Sequence, residues 1–575
     1  MAFTAQKKWR KQTLGILLTA MLCASAFAGC SDSSTSGVST APVANSTGGS
    51  TSSAAAADPA STAAPSGNFN AEGLPILNEP VDFEIVIMQQ GTLKTANEKQ
   101  CAINAVEKTN VNINWTEVPN ASYTEKINIL FASDSLPDGV CGDVKLITTY
   151  GDQLLDLKPY LADYAPTTTQ FFTDRPEYPQ ALSDASGALK IVPIGDESLG
   201  NTIDSQLWIN QDWLTNLGLD MPTTTAEFEA VLKAFKEQDA NGNGDPNDEI
   251  PYSFMNVWGW ARGIENMFGA FGVVENDNHV FLSPTDNSTV VFSAEEQGYY
   301  DFLKWMNSMY TQGLIDPEVF THSQDQYVSK NAGKDIIGAY MEYGDTGIGN
   351  AVSSLNPEDQ KFKHVVALKG PTGEQHVGLN NLTRGTGFMI TNKCEMPEVL
   401  VRWYDWVNTD LDTFAEWRWG KEGEVWNYVD NGSGQKVPQQ KYMVDGDYQQ
   451  YGYQNYGEYN GAESFSGWCL AVSYEEKLSL MPPEVDTDRK KPAAIADIAF
   501  GLNPLPAGIA DPQNEDQRAL IKADLDNYLL RFISDSIING IDDAKWNTHL
   551  GELEKLRVPE YKQLCQEFVD AIQSR

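Results

Sequence analysis

Phe83-Glu84-Ile85-Val86-Ile87-Met88, then the stretch from Asn97 to Lys108, then Val111 to Trp115, is where the fold can first be read. The first run is short and rich in β-branched and other apolar residues, the composition of a strand buried in a sheet. The second reads as an amphipathic helix, and the third returns to strand character. A strand, helix, strand succession implies an α/β body layered around mainly parallel sheets. Downstream, Thr223-Thr224-Thr225-Ala226-Glu227 precedes Phe228, Val231, Leu232 and Phe235 at one-face helical spacing, with Glu227 set to complete a capping box from a threonine before it. A further helix is expected from about Pro397 to Asn408, and the chain from Gln517 onward reads as helix-rich. There is no repeat of solenoid period.

The start of the chain has a different character. Lys7, Lys8, Arg10 and Lys11 are followed by an apolar run from Leu14 to Phe27, the pattern of a secretory signal. The run is shorter than the roughly 20 apolar residues that cross a bilayer. It ends in Phe27-Ala28-Gly29-Cys30, which resembles the lipobox of bacterial lipoproteins, with Phe27 where leucine is usual. That resemblance implies cleavage before Cys30 and lipidation on it. Ordinary signal cleavage near Ala26 or Ala28 is the alternative. Behind it, a tract of Ser, Thr, Ala, Gly, Pro and Asn running to about residue 70 has too little apolar surface to repay its ordering, so it is expected to be a flexible tether. Residues 1–29 are thus read as signal peptide and 30–70 as lipid-anchored linker. No later segment is apolar enough to span a membrane.

The formal net charge is -39 over 575 residues, and loss of the signal cations makes the mature chain about four units more negative. Such a balance excludes nucleic acid as a partner, because phosphate binding needs clustered lysine and arginine. It disfavours a polyanionic ligand unless a local basic patch exists. Cys101, Cys141, Cys394, Cys469 and Cys565 are an odd set without zinc-site spacing. Cys101 and Cys141 either pair or are buried thiols.

Asp239-Ala240-Asn241-Gly242-Asn243-Gly244-Asp245-Pro246-Asn247-Asp248-Glu249 carries side-chain oxygens at alternate positions, with glycines that let the loop turn. That is how an EF-hand loop wraps a hard cation. Ile250 stands where an EF-hand has its bidentate glutamate, so Asp248 or Glu249 must close the sphere. The plain alternative is a solvated Asn/Gly turn.

Tyr123-Thr124-Glu125-Lys126-Ile127-Asn128, with Ala132-Ser133-Asp134-Ser135-Leu136-Pro137-Asp138 after it, resembles the first-lobe signature of the family 1 extracellular solute-binding proteins, in particular the long lipoprotein branch that includes the alginate-oligosaccharide binders. Leu207-Trp208-Ile209-Asn210-Gln211-Asp212-Trp213-Leu214 is similar to the next block of that branch, as are Leu217-Gly218-Leu219 and Pro222-Thr223-Thr224. Tyr310 to Glu318, Trp419 to Gly423, and Arg531-Phe532-Ile533 with Trp546 continue the resemblance in order along the body.

The resemblance implies a two-lobed, class II periplasmic-binding-protein-like (Venus flytrap) α/β fold with a hinge and a helix-rich C-terminal region. Residues 75–205 would form mainly lobe one and 206–380 mainly lobe two, with 381–575 returning to complete both. It further implies a monomer that captures a carbohydrate in the cleft and delivers it to the permease of an ATP-driven (ABC) importer, with no catalysis. The Asp239–Glu249 loop would hold structural calcium through Asp239, Asn241, Asn243, Asp245 and either Asp248 or Glu249. Lipid-anchored, the protein would stand at the outer face of the cell membrane.

Sugar pockets pair aromatic platforms with polar edges. The candidates are Trp258 and Trp260 with Arg262, Tyr340 and Tyr343, and Trp417 and Trp419 leading to Glu422 and Trp426. Each taken singly is more often a packing residue. Two other functions are open to such a cleft. A secreted glycoside hydrolase would need two carboxyl groups flanking the bond, which an acidic chain can supply, although the sequence has no GxSxG or HExxH motif. A receptor for another solute, such as a peptide, would share the fold.

Overall fold

Val81–Gln89 (β1) pairs along its whole length with Val111–Pro119 (β2) in parallel register, Val81 opposite Val111 and Gln89 opposite Pro119. Phe83, Ile85 and Ile87 share one buried face, while the other carries the exposed Asp82 and Glu84 before the buried Val86, so the strand is apolar on both sides only from Ile85 to Ile87. The helix Gln100–Thr109 makes the crossover between them and ends at Asn110 in the left-handed conformation. The computed structural model describes residues 67–575 except 90–93, 197–201, 204, 257–262, 331–333, 343–360, 382, 431, 442, 444, 454–455, 460–469 and 472–489. Its described residues belong to one compact unit.

After β2 the chain adds β3 (Gly139–Asp143) and β4 (Val192–Asp196). It then forms β5 (Gln206–Asn210), β6 (Ile250–Ser253), the hairpin β7 (Val280–Leu282) and β8 (Val290–Phe292), β9 (Ile337–Glu342), β10 (Phe362–Val365) and β11 (Val377–Gly378). It returns through β12 (Thr383–Ile390), the hairpin β13 (Trp426–Asp430) and β14 (Lys436–Gln440), β15 (Leu470–Ala471) and β16 (Gly501–Leu502). The strands assemble into a six-stranded sheet of order β15-β4-β12-β3-β1-β2 and a four-stranded sheet of order β10-β5-β9-β6. β12 runs antiparallel to both β3 and β4, so the first sheet is mixed.

Each sheet has its own core. Phe83, Ile85, Trp115, Ile127, Leu157, Phe388, Trp403 and Trp417 belong to one apolar cluster; Ile209, Trp213, Phe228, Phe268, Phe302, Leu525 and Val569 belong to another. Two cores around two sheets make two lobes, with the chain passing between them at β4 to β5, at β11 to β12 and again between β15 and β16. The C-terminal helices Pro512–Asn539, Asp543–Lys555 and Val558–Gln573 pack into the second core. The last of them reaches back to the first lobe, where Gln180 Nε2 donates to the Ile572 carbonyl at 3.3 Å and Arg575 donates to the Ser183 carbonyl at 2.9 Å.

Local chemistry places these elements. Thr224 accepts the Glu227 N–H at 3.1 Å, and Glu227 accepts the Thr224 N–H at 3.1 Å, a reciprocal cap on the helix Thr225–Glu237. Phe228, Val231, Leu232 and Phe235 are all buried on its inner face. Full burial of such side chains stabilises by roughly 1.5–3 kcal/mol each. Among the described residues no helix is long and apolar enough to cross a membrane.

Candidate functional site

β3 ends at Asp143, whose carboxylate accepts the Lys145 N–H at 2.7 Å and caps the helix Val144–Tyr150. Val144, Lys145 and Thr148 of that turn form one wall of a cleft of about 440 Å³. Its other walls are the start of β12, the segment Leu505–Ala510, Glu515 and Arg518 at the head of the helix Pro512–Asn539, and Asn278. A second cavity of about 220 Å³ shares Asn278, Asn381 and Leu505 with it. That cavity adds Ser205, Glu265, Asn266, Glu275, Asn276, Asp277 and the residues Gly378–Asn380. The joint groove is therefore built from the first lobe, the second lobe and the chain segments that join them.

Amide, hydroxyl and charged side chains punctuate a groove that also exposes apolar surface from Leu379, Leu505 and Phe568. Asn381 accepts the Thr383 N–H at 3.1 Å and donates to the Leu505 carbonyl at 3.3 Å, and Asn266 joins Ser205 to Gly378 through bonds of 2.6 and 2.8 Å. These amides hold the lobe-joining segments in place. Arg518 pairs with Glu515 and lays its guanidinium 4.7 Å from the Phe568 ring centroid, so its charge is partly committed.

Behind the groove lies a buried charge cluster. His279, with no solvent exposure, directs Nδ1 at Glu275 and Nε2 at Asp526, both at 2.8 Å, and Lys522 pairs with Asp526 from the far side. Burial alone would depress this imidazole. The two carboxylates outweigh it and hold its pKa up, at about 9, so His279 is a cation at neutral pH. It adopts a left-handed backbone (φ 57°), closing a tight loop whose outer residues, Asn276 to Asn278, face the cavities.

The structure corrects the reading of the described aromatic candidates. Trp417, Trp419 and Trp426 are 3% exposed or less and fill the first core: Trp417 meets Trp403 edge-on at 5.3 Å, and Trp426 donates its indole N–H to the Gly420 carbonyl at 2.7 Å. Tyr340 is wholly buried, edge-on to Phe362 at 4.9 Å. Glu422 is exposed on the turn opposite Trp426. The helix Leu411–Trp419 packs against the helices Gln100–Thr109 and Pro397–Val407 and against β14, which leaves its tryptophans no open face. Trp258, Trp260, Arg262, Tyr343, Cys30 and Cys469 lie outside the described residues. Cys101, Cys141, Cys394 and Cys565 are all buried.

The Asp239–Glu249 loop sits at the other end of the second sheet, where β5 ends and β6 begins. Asp239 accepts the N–H groups of Asn243 and Gly244 at 3.0 and 2.8 Å, and Gly242 and Gly244 supply the left-handed turns (φ 72° and 95°). The Asn241 and Asn243 amides both donate to Asp248, at 3.1 and 2.8 Å, while Asp245 caps its own turn through the Asn247 N–H. Glu249 accepts the Ala240 N–H at 3.0 Å through one oxygen, and its other oxygen is buried without a partner. Burial, aided by the Asp248 carboxylate, pushes Glu249 above the ordinary carboxylate range. Among the described residues no three His, Cys, Asp or Glu side chains converge as a ready-made metal cluster. A concentration of hard oxygen donors with one orphaned carboxylate oxygen nevertheless fits a divalent cation. Asn241 also reaches the Asp335 carbonyl at 3.4 Å, and Asp335 binds Asn210 at the end of β5, so the loop is tied to the strands.

Residues 93–410 match the bacterial extracellular solute-binding protein family. The chain belongs to that family. Within it, the chain is 27% identical over 514 residues to the fructooligosaccharide ABC transporter substrate-binding protein FusA of Streptococcus pneumoniae, covering 84% of this chain and 88% of that one. Solved structures of FusA with kestose, and of its EF-hand mutant with fructo-nystose, superpose with a TM-score of 0.68 at 26% identity, over 86% of this chain and 100% of each. An HMO-binding solute-binding protein of Bifidobacterium longum shares the fold at TM-score 0.70 and 19% identity, over 86% of this chain and 99% of its own. Family members are transport receptors with two lobes, and the two-core architecture above is that of a solute-binding protein.

Sequence reading missed the groove's described walls. Lys145, Asn278, Asn381 and Arg518 come from four segments far apart in the chain, and none forms a spaced motif. The signal available was indirect: Asn276-Asp277-Asn278-His279 is a turn-forming cluster inside an apolar stretch.

Proposed function

We propose that this family member is the oligosaccharide receptor of an ABC importer, closing its interlobe groove on the sugar and presenting it to a membrane permease. The observation that carries this reading is a groove, set with amides and hydroxyls among apolar surface, whose walls come from both lobes and from the segments joining them. A ligand bound there contacts both lobes only when they are closed, so binding energy shifts the open and closed populations directly. Amide and hydroxyl side chains on the walls suit sugar hydroxyls, since each can donate and accept. The kestose bound by FusA, a relative across most of both chains, supports a carbohydrate cargo.

Under this reading the protein holds its solute intact and carries out no hydrolysis. Cys30 carries the lipid that keeps it at the outer face of the membrane. Asp239, Asn241, Asn243, Asp245 and either Asp248 or Glu249 would hold a calcium ion; the EF-hand named for FusA supports this assignment. Calcium supplies fixed positive charge there and pins the loop to the end of the second sheet, remote from the groove.

The test is a thermal-shift screen of the protein in calcium against neutral and acidic oligosaccharides. A ligand that binds only the folded chain stabilises it by about 2.7 kcal/mol at one hundred times its Kd. A dose-dependent rise with one glycan, recovered unbroken, supports the receptor; cleavage of the glycan would make it a hydrolase, and a response only to peptides would move the cargo class.

A further inference from the structure

The Glu275–His279 loop spends most of its polar groups on itself. Asn276 donates its amide to the Val280 carbonyl at 2.7 Å and accepts the Asn278 N–H at 2.9 Å; the Asn278 carbonyl accepts the Tyr561 hydroxyl at 2.9 Å. The backbone of Asn278 is thus fixed on both sides. Its neighbour His279 is locked between Glu275 and Asp526. The side-chain amide of Asn278 is the exception: half-buried, it makes no hydrogen bond with any described residue, and it stands where the two cavities meet. The amides of Asn266, Asn276 and Asn381 are by contrast all engaged with backbone. A rigidly mounted amide with its donor and acceptor both open is suited to reading a hydroxyl group.

The charge around it is largely paired, Glu275 with His279 and Glu515 with Arg518, and the exception is Asp277 beside it, which makes no ion pair among the described residues. Of the cations on the walls, Arg518 is paired with Glu515, and Lys145, on the far wall, makes no ion pair among the described residues. An acidic sugar would bring like charge against Asp277, which is exposed to the cavity, with a single uncommitted lysine to offset it.

We propose that Asn278 is a solute-contacting residue, reading a sugar hydroxyl at the junction of the two cavities, and that the unpaired Asp277 beside it favours uncharged oligosaccharides over acidic ones. The inference rests on the oligosaccharide-receptor reading above and adds the contact residue and the charge class.

The experiment is calorimetric titration of the full-length protein with kestose, maltotriose, cellotriose and trigalacturonic acid, repeated on Asn278→Ala, Asn278→Gln and Asp277→Lys. For the best uncharged sugar, the wild type is expected to bind at least tenfold tighter than it binds trigalacturonic acid. Asn278→Ala should weaken that sugar about tenfold, the loss of one hydrogen bond. Asn278→Gln, which keeps the amide but moves it by a methylene, should lose severalfold, and Asp277→Lys should narrow the gap to trigalacturonic acid. Equal binding of the uncharged sugar by the wild type and both Asn278 variants would overturn the contact, and preference for trigalacturonic acid would overturn the charge class, while either leaves the receptor reading standing. If no oligosaccharide binds the wild type, the receptor reading falls and this inference falls with it.

Discussion

Replacing His279 with glutamine removes a buried cation that two carboxylates share. In the folded protein the imidazole sits at about 9, against an ordinary 6.5. At about 1.4 kcal/mol per pH unit, that difference corresponds to about 3 kcal/mol of folding stability. The packing gives a similar figure, because breaking a buried pair and stranding Glu275, 1% exposed, costs about 3–5 kcal/mol. A group whose folded pKa is raised contributes fully below its unfolded pKa and loses that contribution as pH rises through the folded value. The stabilisation from His279 is therefore complete below about pH 6.5 and gone above about pH 9. The groups facing it are Glu275 on its own loop, Asp526 and Lys522 on the helix Pro512–Asn539, and the Phe292 ring. Urea unfolding of the wild type and H279Q at pH 6, 7.5 and 9.5 reads the effect directly. The gap between the two should be about 3 kcal/mol at pH 6 and shrink steadily toward pH 9.5. A gap that does not change with pH would refute the assignment of His279 as a buried cation.

Other outcomes follow from the same geometry. Chelating calcium should lower the melting temperature, and Glu249→Gln, which removes the orphaned carboxylate, should abolish the calcium-dependent part of that shift while leaving a folded protein; a calcium response unchanged in the variant would remove Glu249 from the ligand set. Trp417→Ala empties a core site 3% exposed and should cost about 3–5 kcal/mol in denaturant unfolding, yet leave sugar affinity within twofold wherever the protein is folded. Cys30→Ser should block metabolic labelling by radioactive palmitate in a bacterial host and move the protein from the membrane to the soluble fraction; continued labelling would place the lipid elsewhere.

How far the sequence spoke depended on whether a signal was local. β1, the helix after it and β2 were legible because apolar residues alternate along one buried strand face, at Phe83, Ile85 and Ile87 and at Val111, Ile113 and Trp115, and because one buried helix face repeats at 3.6 residues. The Thr224 cap and the Gly242 and Gly244 turns were equally local, fixed by residues within a few positions of each other. The tryptophans of residues 417–426 misled because composition does not say which way a ring points: a helix packed on several sides buries aromatics as readily as a cleft displays them. The groove was the least legible feature. It is assembled from hinge segments and loops hundreds of residues apart, so Asn278 and Asn381 become neighbours only once two lobes have folded around separate cores.

The measurement that tests the central claim most directly is calorimetric titration of the full-length protein, with calcium present, against a panel of uncharged oligosaccharides that includes kestose, with the sugar recovered afterwards and sized. The account predicts saturable binding of one sugar per chain and recovery of that sugar at its original length. Absence of binding across the panel, or recovery of shortened products, would contradict it.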